Sequence, residues 1–153
     1  MKIKKALYAG SFNPFTNGHL SIVEKSAELF DKVVIGIAYN STKDRIQDLN
    51  LMMEAIRKQV SNLDNVSVTR IDGLVADWCG KNDVSYLVRG LRDTTDYLYE
   101  ENIAKINKEI NPNLRTIYFR ADNDVISSSM VRELIKYNKD VSKYVPEEIY
   151  KIL

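Results

Sequence analysis

The sequence predicts an α/β fold in which a five-stranded, parallel sheet is doubly wound, with helices on both of its faces. Short runs rich in Val, Ile and Tyr alternate with longer amphipathic stretches along all 153 residues. No repeat or low-complexity segment interrupts this alternation. Because strands that alternate with helices are joined by crossovers, they lie parallel and need helices on both faces. The length suits one hydrophobic core, so we expect a single domain over residues 1–153.

Five strands are predicted from short runs of β-branched and aromatic residues, and amphipathic segments lie between them. The predicted strands are 3–9, 32–38, 66–71, 84–89 and 115–120. The first helix follows Gly18 and has an apolar stripe at Leu20, Val23, Ala27 and Phe30. The second begins after Asp48 as N-cap and buries Met53, Ile56, Val60 and Leu63. Further helices are predicted at about 74–81 and 96–110, from the serines near 127, and after Pro146.

This order of elements is Rossmann-like, and sheets of that kind bind ligands outside the carboxyl ends of their strands. The composition restricts which ligands are plausible. The chain has 22 Lys and Arg against 21 Asp and Glu, a net charge of +1. No overall field therefore attracts nucleic acid or an anionic membrane, and any bound anion needs a local cluster.

The single cysteine, Cys79, excludes an intramolecular disulfide and any zinc site built from several cysteines. One unpaired thiol suits a reducing compartment. No apolar stretch approaches the roughly 18 residues of a membrane-spanning helix. We therefore expect a soluble, cytoplasmic protein with neither a nucleic-acid nor a membrane partner.

The segment "YAGSFNPFTNGH", residues 8–19, links the first strand to the first helix and contains the only histidine. Gly10 lets the backbone turn or approach a ligand, and Pro14 fixes one φ angle. Free N–H groups at the helix start favour a phosphate. His19 could donate a hydrogen bond to that phosphate, or it could only cap the helix. The serines of "ISSSMVRE", residues 126–133, offer a second set of hydroxyl and N–H donors.

These motifs resemble known signatures. "TNGH" resembles the (T/H)xGH signature of the nucleotidyltransferase superfamily, and "ISSSMVR" resembles its ISSSxxR pattern. The stretch "VRGLRDTTDYLYEENIAKIN", residues 88–107, is similar to the corresponding part of the bacterial phosphopantetheine adenylyltransferase family. The likeness continues around Lys43 and in "DVSKYVPEEI", and so covers nearly the whole chain.

The resemblance implies transfer of AMP from ATP to 4′-phosphopantetheine, giving dephospho-coenzyme A and pyrophosphate in the penultimate step of coenzyme A synthesis. It implies direct in-line attack without a covalent enzyme intermediate. It also implies Mg²⁺ carried by ATP rather than held by a protein metal site. A homohexamer and feedback inhibition by coenzyme A are further expectations from the family.

Carried over position by position, the resemblance implies a set of site residues. The catalytic residues would be His19, Lys43 and Arg92. The residues contacting ATP would be Ser11, Phe12, His19, Gly90, Leu91, Arg92, Glu100, Asn123, Asp124, Val125, Ile126, Ser127, Ser128 and Ser129. The residues contacting phosphopantetheine would be Ser11, Lys43, Leu74, Val75 and Arg89.

Several alternatives stay open at the level of sequence. Arg89 and Arg92 could form structural ion pairs with nearby carboxylates instead of binding phosphate. Asn13 replaces the family's usual Asp, which either orders the loop or positions a metal. Asp122 and Asp124 could repel a triphosphate, or be matched by magnesium or by an arginine such as Arg132.

Two other functions also remain open. The chain could adenylylate or cytidylylate a different acceptor, such as nicotinamide mononucleotide or glycerol phosphate. It could also bind nucleotide or coenzyme A without catalysis.

Overall fold

The fold is described by a computed structural model covering residues 2–39, 44–122 and 126–153. The strands are β1 (Lys5–Gly10), β2 (Lys32–Ala38), β3 (Val66–Ile71), β4 (Tyr86–Leu91) and β5 (Arg115–Arg120). The helices are α1 (Asn17–Leu29), α2 (Leu49–Gln59), α3 (Val75–Lys81), α4 (Thr94–Ile110), α5 (Ser128–Lys136) and α6 (Glu147–Tyr150). None of these described helices has the length and apolarity needed to cross a bilayer.

The five strands form one sheet in the order β3-β2-β1-β4-β5, and every neighbouring pair is parallel. The chain first winds outward from β1 through β2 to β3, and then crosses to β4 on the other side of β1. This reversal places a crevice between the carboxyl ends of β1 and β4, where open α/β sheets bind ligands. The predicted parallel α/β fold is confirmed.

Side chains of the sheet alternate between two hydrophobic clusters, one on each face. Along β2, Val33 and Ile35 pack with apolar residues of α1, α2 and α5, whereas Val34 packs on the opposite face. The second cluster includes Ala76 and Cys79 of α3. Burial raises the pKa of the Cys79 thiol to about 12, so this cysteine serves as an inert core residue.

Two predicted strands have shifted ends. β1 runs from Lys5 to Gly10 rather than over residues 3–9, since its pairing with β2 begins at Lys5 with Lys32 and ends at Gly10 with Ile37. β4 begins at Tyr86 rather than residue 84, since the N–H of Val84 bonds the Cys79 carbonyl at the end of α3. It extends to Leu91, paired with Arg120 of β5. Residues 89–91 therefore belong to the strand itself.

Two helices also differ from their predicted bounds. α1 begins at Asn17, whereas the helix was predicted to follow Gly18. Its buried face is formed by Ile22, Val23 and Ser26, and Phe30 is the buried C-cap residue. α4 begins two residues earlier than predicted because Asp93 is its N-cap, accepting a hydrogen bond from the N–H of Asp96 at 2.9 Å.

The second helix begins as predicted and ends early. Asp48 caps α2 through the N–H groups of Asn50 and Leu51. Val60 is the C-cap of this helix, and Leu63 lies beyond it, packed against the core.

Candidate active site

Two cavities lie at the carboxyl ends of β1 and β4 and share the residues between them. The first, of about 300 Å³, is bounded by the first loop, α1, β4, α4 and the start of α5. The second, of about 550 Å³, extends toward the end of β2 and the start of α3. Both are lined by Ala9, Gly10, Ser11 and Arg89. The crevice thus provides two compartments that meet at one point.

The structure brings most of the described candidate residues to these cavities. Lining the first are Ser11, Phe12, His19, Arg89, Gly90, Arg92, Glu100, Ile126, Ser127 and Ser128. Lining the second are Ser11, Val75 and Arg89. Neither cavity is lined by Leu74, Leu91 or Ser129. Outside the described residues lie Lys43, Asn123, Asp124 and Val125.

His19 occupies the third position of α1 and completes a capping box with Thr16. The Thr16 hydroxyl accepts a hydrogen bond from the His19 N–H at 3.3 Å, and His19 Nδ1 accepts one from the Thr16 N–H at 2.9 Å. Because Nδ1 is an acceptor, the proton of the neutral ring is on Nε2. The ring therefore caps the helix and still offers one donor at the first cavity.

Aromatic rings surround the imidazole of His19. Its centroid lies 4.9 Å from that of Phe12, 5.5 Å from Phe15 and 6.2 Å from Tyr8. This desolvation, followed by the charges of Arg89 and Arg92, lowers the pKa of His19 to about 4. At neutral pH, His19 is thus a neutral hydrogen-bond donor.

Acidification is expected to destabilise the fold through His19. Its folded pKa of about 4 lies below the ordinary value of 6.5, so the unfolded chain binds the proton more readily between those pH values. Stability therefore falls as the pH decreases through this window, by as much as about 3 kcal/mol at about 1.4 kcal/mol per pKa unit. Urea unfolding at about pH 7 and about pH 4.5 measures the loss.

The matched variant for this test is His19→Gln, since glutamine at this helix position can accept the Thr16 N–H without titrating. Because the chain has one histidine, no other imidazole contributes to the pH dependence. The variant should lose less stability than the wild type over the same interval. Equal losses in the two proteins would contradict the assignment.

The first loop holds Phe12 in an unusual backbone conformation. Its φ angle is 45°, in the left-handed region, which costs an aromatic residue on the order of 1–3 kcal/mol. The ring is buried, and a Cβ added at Gly10 would lie 3.1 Å from it. Gly10 thus allows the close approach that places the Phe12 ring against His19.

Arg89 and Glu100 form a partly buried bidentate ion pair at the base of the first cavity. Arg89 Nε and Nη2 donate to the two carboxylate oxygens of Glu100 at 2.7 Å each, and Nη1 donates to the Ala9 carbonyl at 2.8 Å. Burial opposes the Arg89 charge, but the bonds and charge of Glu100 outweigh it and raise the pKa of Arg89. Arg89 is therefore a permanently charged group fixed at the junction of the two cavities.

Arg92 lies at the mouth of the first cavity and pairs with Asp96. Its Nε donates to Asp96 Oδ2 at 2.9 Å, and its backbone N–H donates to the same oxygen at 3.1 Å. The Arg92 hydrogen bond lowers the pKa of Asp96. Since the Arg92 side chain is 48% exposed, this pair is weaker than the buried one and can open at little cost.

The serines at the start of α5 have separate structural partners. Ser127 is the N-cap and accepts a hydrogen bond from the N–H of Met130 at 3.3 Å. Ser128 donates to the carbonyl of Pro14 at 2.8 Å and so ties α5 to the first loop. The start of α5, through Ser127 and Ser128, and the start of α1, through Gly18 and His19, line the same cavity.

Asp122 pairs with residues of α1, which argues against the repulsion of a triphosphate considered for it. Its carboxylate accepts hydrogen bonds from Ser21 at 2.7 Å and from Lys25 at 2.9 Å, both on α1. These bonds lower the pKa of Asp122, with Lys25 as the main cause. The guanidinium of Arg132 has a different partner, since Arg132 Nη1 donates to the Asn13 carbonyl at 2.7 Å. Asp122 is thus balanced by a lysine rather than by the arginine.

Asn13 orders the loop. Its side chain is buried, its Oδ1 accepts a hydrogen bond from the N–H of Ile46 at 3.0 Å, and its Nδ2 donates to the Asp44 carbonyl at 3.5 Å. Of the two roles considered for this position, these contacts support loop ordering.

In the described part of the chain, no group of three or more His, Cys, Asp or Glu residues is arranged to hold a metal ion.

Several lining residues were missing from the sequence-based set. Tyr8, Thr16 and Asp96 line the first cavity, and Tyr39 and Arg45 line the second. Thr16 had a usable signal, because a threonine three positions before His19 fits a capping pair. Arg45 had none, since its hydrogen bonds are made to backbone atoms far away in the sequence.

Comparisons with known proteins identify the family of this chain. The Cytidylyltransferase-like family profile matches residues 7–134. Phosphopantetheine adenylyltransferase from Shouchella clausii is 37% identical over 149 residues, which cover 96% of this chain and 94% of that protein. The protein of the same name from Nautilia profundicola is 37% identical over 151 residues, covering 97% and 98%.

A solved structure supports the same fold. A candidate nicotinate-nucleotide adenylyltransferase from Vibrio parahaemolyticus aligns with a TM-score of 0.72 over 99% of this chain and 92% of its own, at 20% identity. At that identity the likeness shows the fold alone. The family follows from the profile match and the relatives above: this chain belongs to the Cytidylyltransferase-like family and to its phosphopantetheine adenylyltransferases.

Proposed function

We propose that this chain transfers the adenylyl group of ATP to 4′-phosphopantetheine, producing dephospho-coenzyme A and pyrophosphate in the penultimate step of coenzyme A biosynthesis. The observation that carries this proposal is the near full-length identity, between 34% and 38%, to four curated proteins named phosphopantetheine adenylyltransferase. The two adjoining cavities suit a reaction between two substrates.

The first cavity fits the nucleotide and the second fits phosphopantetheine. ATP would contact Phe12, His19, residues 90–92, Glu100 and residues 123–129. Phosphopantetheine would contact Ser11, Lys43, Leu74, Val75 and Arg89. Because Ser11 and Arg89 line both cavities, the reacting phosphates would meet beside them.

The reaction needs no protein nucleophile. An oxygen of the phosphopantetheine phosphate attacks the α-phosphorus of ATP, a new P–O bond forms, and the bond to pyrophosphate breaks. The protein's task is to align the two phosphates and to stabilise the negative charge on their oxygens. Neutral His19 would donate from Nε2 to an α-phosphate oxygen, while Lys43 and Arg92 would offset charge on the reacting groups.

Magnesium would enter as the complex of ATP, coordinated by phosphate oxygens and water. The β- and γ-phosphates would lie at the start of α5, where Ser127 to Ser129 and the first N–H groups offer donors. The Arg92–Asp96 pair would open as Arg92 turns to a phosphate, an exchange between one oxyanion and another.

Pyrophosphate release by the purified protein with Mg²⁺-ATP tests the function. Release should require 4′-phosphopantetheine, and nicotinamide mononucleotide or glycerol phosphate should leave ATP unconsumed. Turnover with another acceptor would assign a different nucleotidyltransferase activity. Binding of ATP without any turnover would indicate a non-catalytic nucleotide-binding protein.

A homohexamer and inhibition by coenzyme A complete the proposal. Leu98, Tyr99 and Ile106 of α4 are 69%, 65% and 60% exposed, and such an apolar surface suits contact between copies of the chain. Coenzyme A contains both an adenylyl and a pantetheine group, so it can occupy both cavities and compete with the substrates. Light scattering on the protein as it elutes from a size-exclusion column measures its mass and tests the hexamer. Titration calorimetry with coenzyme A measures its binding and tests the proposed inhibition.

The proposed location of this reaction is the cytoplasm. The single cysteine of the chain is buried and fits a reducing compartment. Fractionation of cells expressing the tagged chain would test this location.

A further inference from the structure

Each of the four carbonyl groups of residues 11–14 accepts a hydrogen bond from a side chain of a distant segment. Arg45 donates to the first two, from Nη1 at 2.7 Å and from Nη2 at 3.0 Å. Arg132 donates to the third at 2.7 Å, and Ser128 to the fourth at 2.8 Å. Of these three residues, only Arg45 bonds two successive carbonyls.

Hydrogen bonds from the Asn13 side chain also join the loop of residues 11–14 to the segment 44–46. The Asn13 side chain bonds the N–H of Ile46 and the carbonyl of Asp44, on either side of Arg45. Although Arg45 and Ser11 are 34 residues apart in the sequence, four hydrogen bonds link their segments. The position of the first loop is therefore coupled to residues 44–46, which follow Lys43 directly in the chain.

Holding these carbonyls fixes groups that belong to the proposed active site. Ser11 lines both cavities. Phe12 has its backbone in the left-handed region and its ring 4.9 Å from the imidazole of His19. Strained conformations of this kind persist when surrounding contacts over-determine them. Arg45 supplies such a contact on the carbonyl of Phe12 itself.

We propose that Arg45 is a positioning residue for the adenylyl transfer: it holds the backbone of Ser11 and Phe12, so that Ser11 keeps its place at the junction of the two cavities and His19 keeps its place in the first cavity. This inference rests on the proposed function. Arg45 also lines the second cavity, so direct binding of the acceptor phosphate is the competing role.

Steady-state kinetics separates these two roles. If Arg45 acts through the loop, Arg45→Met should lower kcat by about 10²-fold, the size of effect produced by small misplacements of reacting groups. The KM values for ATP and phosphopantetheine should change by less than about threefold. Arg45→Lys keeps the charge and one donor to a carbonyl, and should recover at least about a fifth of the wild-type kcat.

The matched control is Arg57→Met. Like Arg45, Arg57 donates to the backbone, in its case to the Val68 carbonyl at 3.2 Å, but it lies on α2 and lines neither cavity. Its kcat should stay within about twofold of the wild type, as for most surface substitutions. A large rise in KM for phosphopantetheine at unchanged kcat in Arg45→Met would overturn the positioning role, and so would an unchanged kcat.

Hydrogen exchange gives a readout that does not depend on turnover. Amides of residues 11–19 should exchange faster in Arg45→Met than in the wild type, while those of β3 should keep their rates. Unchanged exchange in residues 11–19 would overturn the inference. Absence of turnover in the wild type would instead overturn the proposed function, and the exchange rates would still decide the role of Arg45.

Discussion

Replacement of His19 by alanine is expected to lower kcat by on the order of 10²–10³-fold, the cost of removing one preorganised donor to a developing oxyanion. The imidazole lines the first cavity, and its Nδ1 already accepts a hydrogen bond from Thr16. The donor that remains is Nε2–H, which can reach a phosphate oxygen. Pyrophosphate release with Mg²⁺-ATP and 4′-phosphopantetheine measures the loss.

The control variant must separate catalysis from helix capping, because His19 caps α1 and is also proposed to take part in the reaction. His19→Gln retains an acceptor for the Thr16 N–H and should unfold at nearly the same urea concentration as the wild type at neutral pH. Its kcat should nevertheless fall by at least about 10-fold, since the amide does not reproduce the position of Nε2. Full activity in this variant would reduce His19 to a capping residue.

The pH profile of the reaction supplies a further check on His19. Because its pKa is lowered to about 4 in the free protein, the ring is neutral across the physiological range, and no ionisation of His19 should appear in kcat/KM above about pH 5. A limb with an apparent pKa of about 6.5 that is lost in His19→Gln would show that the ring titrates normally and that its desolvation does not lower its pKa.

Replacement of Glu100 by alanine is expected to lower the free energy of unfolding by about 3–5 kcal/mol, because it leaves the Arg89 guanidinium buried without its counter-ion. The side chains of the pair are 25% and 10% exposed, so solvent screens the charge weakly. Folded domains have only about 5–15 kcal/mol of stability in total. Urea unfolding should therefore shift to a much lower midpoint.

Two further variants identify the cause of this loss. Glu101→Ala removes the neighbouring carboxylate, which accepts a hydrogen bond from the Tyr118 hydroxyl at 3.0 Å, and should cost about 1 kcal/mol. The double variant Arg89→Met with Glu100→Met removes both charges and should regain most of the lost stability. If it is no more stable than Glu100→Ala, packing rather than the unpaired charge is responsible.

Features that depend on local sequence were predicted well. Strands β2, β3 and β5 have the predicted bounds, since runs such as "KVVIGIA" identify a buried strand without reference to distant residues. Asp48 was identified as the α2 N-cap for the same reason, because a cap bonds N–H groups two and three positions away. The motifs around His19 and Ser127 likewise indicated the edge of the sheet at which the first cavity lies.

The end of β4 shows where local reasoning fails. The predicted strand ended at Arg89, because Gly90 follows it and glycine favours a turn. In the structure, however, Arg89 to Leu91 pair with Tyr118 to Arg120 of β5. Ladder hydrogen bonds to a distant strand outweighed the local preference. They extend the strand by Gly90 and Leu91 beyond its predicted end.

The sequence by itself determined the α/β class, most of the elements, and the motifs that line the first cavity at one edge of the sheet. Only the tertiary structure decided the partners of the charged groups: Glu100 for Arg89, Lys25 for Asp122, and the carbonyls of Ser11 and Phe12 for Arg45. Elements follow from hydrogen bonds and apolar periodicity between residues close in the chain. A charged side chain has many possible partners far away in the sequence. Tertiary packing decides which of these partners comes within hydrogen-bond distance.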